Sequence, residues 1–166
     1  MKIKIEIRNR WTGKVLFEYE KENNTVKDTM IEAVKNGADL GGADLRGAYL
    51  RGAENIPFIP ISCPSDGAFI GWKKVGGHLV KLEILEDSRR CSATGTKCRC
   101  DKALVVEIRR ISDGEQTDAI TNTSYYPYIT YKVGEMVFPD SFDENRWDEC
   151  SHGIHFFIDK QEAINY

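Results

Sequence analysis

No apolar run in this sequence approaches the length of a membrane span, and the opening stretch MKIKIEIRN alternates charge with Ile where a signal peptide would carry an unbroken apolar core. A cytoplasmic protein without a membrane partner is expected. A surplus of positive charge is also missing: 23 Lys and Arg stand against 26 Asp and Glu, a formal net charge of −3. Duplex binding draws on the opposite balance, which argues against a general nucleic-acid binder. Cysteine is scarce and odd in number, with Cys63, Cys91, Cys98, Cys100 and Cys150 in 166 residues. In a reducing compartment that favours free thiols or metal ligands over a disulfide framework. No Gly-x-Ser-x-Gly stretch supports serine catalysis. Proline is rare except in NIPFIPISCPSDG, where three fall within eight residues and regular structure should break.

What is present begins with alternation. In KIKIEIRNRWTGKVLFEYE, Ile3, Ile5, Ile7 and then Val15, Phe17, Tyr19 describe two half-buried strands joined by a turn around Asn9 to Gly13, a β-hairpin. Thr25 with Asp28 three places on reads as a capping box, and Val26, Met30, Ala33 and Val34 share one helical face until Asn36-Gly37 ends it. The next stretch, KNGADLGGADLRGAYLRGAENIP, repeats every five residues, with Ala38, Ala43, Ala48 and Ala53 and with Leu40, Leu45 and Leu50 two places after the first three. A period of five fits neither helix nor strand, and it predicts a coil that turns a corner after each pentad with Leu inside. Gly42, Gly47 and Gly52 would sit near those corners. The stretch resembles the pentapeptide-repeat family, with its Ala-(Asp or Asn)-Leu-x-x pattern, and the resemblance implies a four-sided right-handed β-helix. One coil cannot bury its own stacking faces, so the hairpin and helix are expected to cap it.

Beyond the Pro-rich stretch, AFIGWKKV, HLVKLEI, KALVVEI, YITYKV, EMVF and IHFFI read as strands. EDSRRCSATGTKCRC, SDGEQTDAITNTS and PDSFDENRWDECSHG read as loops, and Asp159 with Glu162 caps a final helix, KQEAINY. The expected fold is therefore α+β: residues 1–56 form hairpin, helix and pentapeptide-repeat coil, 57–66 a connector, and 67–166 a mixed, mainly antiparallel β domain with a C-terminal helix.

KCRCDKA, VGE, PDSFDENRW, ECSHGIHFF and EAINY resemble an uncharacterised domain that commonly follows pentapeptide repeats in phage and bacterial proteins. That resemblance implies a phage or prophage setting, hence a host cytoplasm, without implying an activity. HGIHFFIDKQEAINY is similar to the strand-and-helix element of the ADP-ribosyltransferase superfamily, which would put His155 at the aromatic position that stacks on nicotinamide. The early strand GWKKVGGHL lacks that superfamily's His-Gly pair, and the sequence supplies no later strand for its catalytic Glu, so transition-state stabilisation would lack its main carboxylate.

Two constellations could carry chemistry. Arg89, Arg90, Lys97, Arg99 and Lys102 make a basic loop suited to a phosphate-bearing ligand or an acidic partner, with Trp147 as an anchor residue and His155 nearby in the last strand. Cys98, Cys100, Cys150 and His155 could converge on zinc, although small buried thiols are also ordinary core material. The functional expectation is a non-catalytic phage-type binding protein that sequesters a nucleotide-derived signal or blocks a host protein in counter-defence. An ADP-ribosyltransferase-like enzyme and a metal-stabilised module are the alternatives. Self-association through the coil or an exposed hairpin edge is a further expectation.

Overall fold

The computed structural model describes residues 1–9, 11–40, 43–45, 48, 60–124 and 128–166. The chain divides into two compact units, Met1–Pro60 and Ile61–Tyr166.

In the first unit, β1 (Lys2–Arg8) and β2 (Val15–Glu22) pair antiparallel, with Ile5 opposite Tyr19 and Ile7 opposite Phe17. Asn9 closes the turn, its Oδ1 accepting from the main-chain N–H groups of Trp11 and Thr12 at 3.0 Å each. Gly13 takes the positive φ that the turn requires, 71°. Helix α1 (Val26–Lys35) starts at Thr25, whose side chain accepts from the Asp28 N–H while the Asp28 carboxylate accepts from Thr25. It ends with Gly37 at φ 67° and a bond from the Ala38 N–H to the Ala33 carbonyl at 2.9 Å, which satisfies a carbonyl the helix leaves open. Met30 and Ala33 are buried.

The β-helical coil expected after α1 is corrected by the structure. Leu40, Ala43, Leu45 and Ala48 are buried as the pentads require. Their main-chain groups, however, bond to one another, Ala43 N–H to Leu40 O at 2.9 Å and Ala48 N–H to Leu45 O at 3.0 Å. The stretch meets the end of β1 where Ala43 bridges Asn9 antiparallel and the Asp44 N–H donates to the Arg8 carbonyl at 2.7 Å. A β-helix wall needs a neighbouring coil to accept its ladder bonds, and among the described residues no such wall forms. The hairpin and α1 therefore cap no coil. Leu50, Ala53, Gly42, Gly47, Gly52 and residues 57–59 of the expected connector lie outside the described residues.

The second unit is built from small antiparallel sheets. β3 (Phe69–Val75), β4 (His78–Ile84), β7 (Ala103–Arg110) and β10 (Met136–Val137) form one sheet in the order β10-β7-β4-β3. β5 (Arg90–Ser92), β6 (Cys98–Cys100) and β11 (Ile154–Phe156) form a second in the order β11-β6-β5, and β8 (Ala119–Asn122) pairs with β9 (Ile129–Lys132). Just beyond β11, Phe157 exchanges two main-chain bonds with Trp72 at 2.7 and 2.8 Å, which ties the second sheet to the free edge of β3. Helix α2 (Lys160–Asn165) is capped by Asp159, which accepts from the Glu162 N–H at 2.9 Å.

Two stretches expected as loops contain strands. The segment EDSRRCSATGTKCRC holds the β5–β6 hairpin, and SDGEQTDAITNTS holds β8. Residues 61–66, read as connector, belong to the second unit: the Ser62 N–H donates to Ser92 Oγ at 2.7 Å, and Cys63 is buried in the core. That core gathers Val80, Leu82, Ile84, Val105, Ile108, Tyr131, Ile154 and Phe156. No helix among the described residues is long and apolar enough to cross a membrane.

Candidate functional site

Register decides which side chains can meet. On β6 and β11, Cys98 faces Phe156, Arg99 faces His155 and Cys100 faces Ile154. Side chains alternate across a strand, so Cys98 and Cys100 share the core face with Phe156 and Ile154, while Arg99 and His155 share the opposite face. The two thiols proposed from sequence as metal ligands thus point away from His155. Cys98 lies against Cys63, and thiol-to-thiol hydrogen bonding pulls Cys63 below its ordinary pKa while pushing Cys98 up. Burial pushes Cys100 up as well. Cys150 is exposed, with its Sγ 3.5 Å from Lys97 Nζ. Among the described residues, no group of three or more His, Cys, Asp or Glu side chains is arranged to hold a metal ion.

The basic loop is also divided by the fold. Arg90 gives its guanidinium to the carbonyls of Ser88, Gly67, Leu85 and Glu86 at 2.6–3.0 Å and lies over the Phe69 ring. Arg89 forks onto Asp101 at 2.8 Å and reaches Glu144 at 2.7 Å. Arg99 is only 2% exposed. Its guanidinium donates to the main-chain oxygens of Asp143 at 2.9 Å, Asn145 at 2.7 Å and Asp148, and so straps the long 139–153 loop to the sheet. Arg146 repeats the device in reverse, from the loop to the Ser92 carbonyl at 2.7 Å and the Ala93 carbonyl at 3.1 Å, while its guanidinium stacks 4.6 Å from the Trp147 ring. These arginines bind backbone and carboxylates, so Arg89, Arg90, Arg99 and Trp147 do not form one ligand cradle.

What the fold joins instead is Lys73 and the His155 main chain, with Lys97 acting electrostatically on both residues. Lys73 stands on β3 at the parity of Gly71 and Val75, both buried, and its Nζ donates to the His155 carbonyl at 3.1 Å. Burial is the main reason its ammonium is pushed down to about 8, with Lys97 adding to the effect and the Cys100 thiol opposing it. Lys97 lies 5.4 Å from the Tyr166 ring centre and 3.4 Å from its hydroxyl, where α2 delivers that residue. Burial works against the Lys97 charge, and the weak acids Tyr166 and Cys150 more than offset it, so its pKa is raised. His155 is pushed down to about 4 by burial and then by Lys73, Lys97 and Arg99, with the Ser151 backbone opposing. Its Nε2 is buried without a hydrogen-bond partner. Among the described residues no carboxylate pairs with Lys73, Lys97 or His155.

A cleft elsewhere gives the contrast. A cleft of about 180 Å³ on the outer face is lined by Trp72, Leu79, Arg109, Arg110, Lys160 and Ile164. There Arg109 pairs with Glu107 at 2.6 Å, and Arg110 with Asp113 and Glu115 at 3.0 and 2.7 Å, so its guanidinium charges are already met. The charges around His155 are not.

Lys73 went unnoticed in the sequence because it sits in an apparently amphipathic strand. The available signal was parity: in FIGWKKV a lysine occupies the alternate position shared by Phe69, Gly71 and Val75. An ionisable residue at core parity either neutralises or meets a counter-charge.

Comparison with known proteins adds relatives without adding an activity. The chain is 40% identical over 72 residues to Uncharacterized protein L223 of Acanthamoeba polyphaga mimivirus, a stretch covering 42% of this chain and 46% of that protein, so the match spans about half of the relative's length. No solved structure matches the chain. Nothing in these comparisons supports the pentapeptide-repeat or ADP-ribosyltransferase resemblances. A family model described as a family of unknown function, DUF5758, matches residues 59–163, the greater part of the sequence and almost all of the second unit, and the chain belongs to that family.

Proposed function

We propose that the protein is a non-catalytic binding protein whose second unit holds a small phosphate-bearing ligand at Lys73, Lys97 and His155. One observation carries this reading: Lys73 donates only to the His155 carbonyl, Lys73 and Lys97 both disfavour a charged His155 ring, its Nε2 is buried without a hydrogen-bond partner, and no carboxylate pairs with any of the three among the described residues. Removing a cation from water without a counter-charge is costly, and a bound anion would offset that cost. In the tautomer that carries its proton on Nδ1, the neutral His155 ring presents Nε2 as an acceptor, which suits an anion that also carries an O–H, such as a singly protonated phosphate. Nucleotide-derived signals belong to this ligand class, and sequestering one would need no turnover. The mimivirus relative supports a virus-encoded setting for such a role.

Isothermal titration against inorganic phosphate, cyclic nucleotides and ADP-ribose derivatives tests the reading. Measurable heat with at least one phosphate ligand, abolished in Lys73→Gln, is expected. Flat traces across the panel would remove it.

A further inference from the structure

The outer face of the four-stranded sheet is ordered in rows. Trp72, Lys81 and Glu107 stand opposite one another on β3, β4 and β7, and Lys74, Leu79 and Arg109 form a row farther along. Helix α2 covers part of this face, with Ala163 fully buried beside Leu79 and Phe157 and with Trp72 and Ile164 packed around them. The cleft of about 180 Å³ lies on this face, lined by buried Leu79, half-buried Trp72 and Ile164, and exposed Arg109, Arg110 and Lys160. Its walls are tied down. Lys74 Nζ donates to the Ile164 carbonyl at 3.0 Å, and the Phe157 and Tyr166 rings meet at 5.2 Å, which holds α2. The turn after β7 is closed by bonds from the Arg110 N–H to the Glu115 carbonyl at 2.8 Å and from the Gly114 N–H to the Arg110 carbonyl at 2.9 Å. An apolar cavity of about 150 Å³ takes up benzene, so this cleft has room for a single aromatic ring.

Charge decides what that ring should carry. Glu107 is met by Arg109 at 2.6 Å and by Gln116 at 3.0 Å. Arg110, three places farther along β7, is shared by Asp113 and Glu115, two carboxylates to one guanidinium. Beside Trp72 the balance is reversed. Lys160 Nζ stands 5.3 Å from the centre of the indole ring and Lys81 Nζ 5.8 Å from the same centre. Lys160 meets no carboxylate among the described residues. A ligand carboxylate at Lys160 would supply the missing counter-charge, while the ring to which it is attached covers the apolar floor.

We propose that this cleft binds a small aromatic carboxylate of one ring, with the ring against Trp72, Leu79 and Ile164 and the carboxylate on Lys160 Nζ. The site is separate from the one read at Lys73, which shares the parity of buried Gly71 and Val75 while Trp72 points to the other side of β3. Benzoate, benzamide and acetate are titrated into the full chain and followed by amide and indole N–H chemical shifts, with Lys160→Gln and Lys73→Gln beside the wild type. Benzoate is expected to give saturating shifts at the Trp72 indole N–H and the Ile164 amide. Benzamide, which keeps the ring and loses the charge, should bind at least about tenfold more weakly, and acetate, which keeps the charge and loses the ring, should not saturate. Lys160→Gln should weaken benzoate by the same factor, and Lys73→Gln should leave it unchanged. Equal affinity for benzoate and benzamide would overturn recognition by charge, and that comparison is read on the wild type alone. Equal affinity for benzoate and acetate would overturn the role of the ring. No shift with benzoate, or shifts confined to residues away from Trp72 and Ile164, would overturn the site, as would benzoate binding that is lost in Lys73→Gln and kept in Lys160→Gln.

Discussion

A Cβ placed on Gly71 would stand 2.6 Å from Cδ2 of Phe156. Gly71 lies on β3, and Phe156, fully buried, is the last residue of β11, so the absent side chain is what lets the two sheets close against each other. The ring is fully buried in the core cluster that holds Val80, Leu82 and Tyr131, and close-packed interiors leave it little room to retreat. Gly71→Ala is expected to cost about 1–3 kcal/mol by overpacking, read as a lower urea midpoint at unchanged slope. An unaltered midpoint would mean that the sheets do not approach this closely.

Arg99 should behave as a fastener. With its guanidinium removed, the carbonyls of Asp143, Asn145 and Asp148 lose their shared donor inside the protein. Arg99→Leu is expected to lose about 2–4 kcal/mol and to make the 139–153 loop an early site of limited proteolysis. Arg99→Lys, with a single compact ammonium in place of a fork, should recover only part of that loss. Equal protease resistance in all three proteins would show that the loop is held by other contacts.

These two residues mark what the sequence could and could not reveal. Both helix starts were readable because a cap is a local matter: Thr25 with Asp28, and Asp159 with Glu162, are three residues apart and act within one turn. Strands β3, β4 and β7 were readable from alternation and length. The β5–β6 hairpin was missed because Arg89, Arg90, Lys97 and Arg99 looked like a solvated charge run, although Cys98-Arg99-Cys100 already alternates as a strand does. Arg99 is buried because its partners are main-chain oxygens 44 to 49 residues away, and nothing in the local pattern announces them. The pentads foretold the burial of Leu40 and Leu45, while the coil required a ladder partner that sequence spacing cannot supply. His155 was singled out by position, but Lys73, 82 residues earlier, gives it its electrostatic surroundings.

Acid should weaken the fold through His155. Its ring takes a proton near 6.5 when unfolded and only at about 4 when folded, so between those values the unfolded chain binds more protons. The stability contribution is present above about 6.5 and is lost as pH falls toward 4, amounting to no more than about 3 kcal/mol. His155→Gln should flatten this part of the stability profile measured by urea unfolding at a series of pH values. A wild-type slope that persists in the variant would assign the effect to other groups.

Metal removal should leave the protein unchanged. Cys98 and Cys100 face the core with Phe156 and Ile154, and His155 lies on the other face of the same strands. Treatment with a strong chelator is expected to leave the Tm where it was, with no stoichiometric zinc in the untreated protein by elemental analysis. A zinc-to-protein ratio near one, with a fall in Tm on chelation, would restore the metal-stabilised reading.

Lys73 should be a place where stability is given up for binding. Its folded pKa of about 8 lies below the ordinary lysine value, so the unfolded chain binds the extra proton between about 8 and 10.5, and stability rises with pH across that window. Below about 8 the charged amine is a constant burden, because it is desolvated with only the His155 carbonyl to meet it. Lys73→Met, similar in length and uncharged, is therefore expected to be more stable than wild type near neutral pH by about 1–3 kcal/mol, and to lose the rise above pH 8. The same charge makes phosphate affinity fall as pH rises through about 8, since the neutral amine no longer attracts the anion, and binding above that point should be accompanied by proton uptake. Urea unfolding at two pH values, together with phosphate titration in buffers of different ionisation enthalpy, reads both effects. A Lys73→Met protein that is less stable than wild type and still binds phosphate would mean that Lys73 supports the fold and has no part in the ligand site.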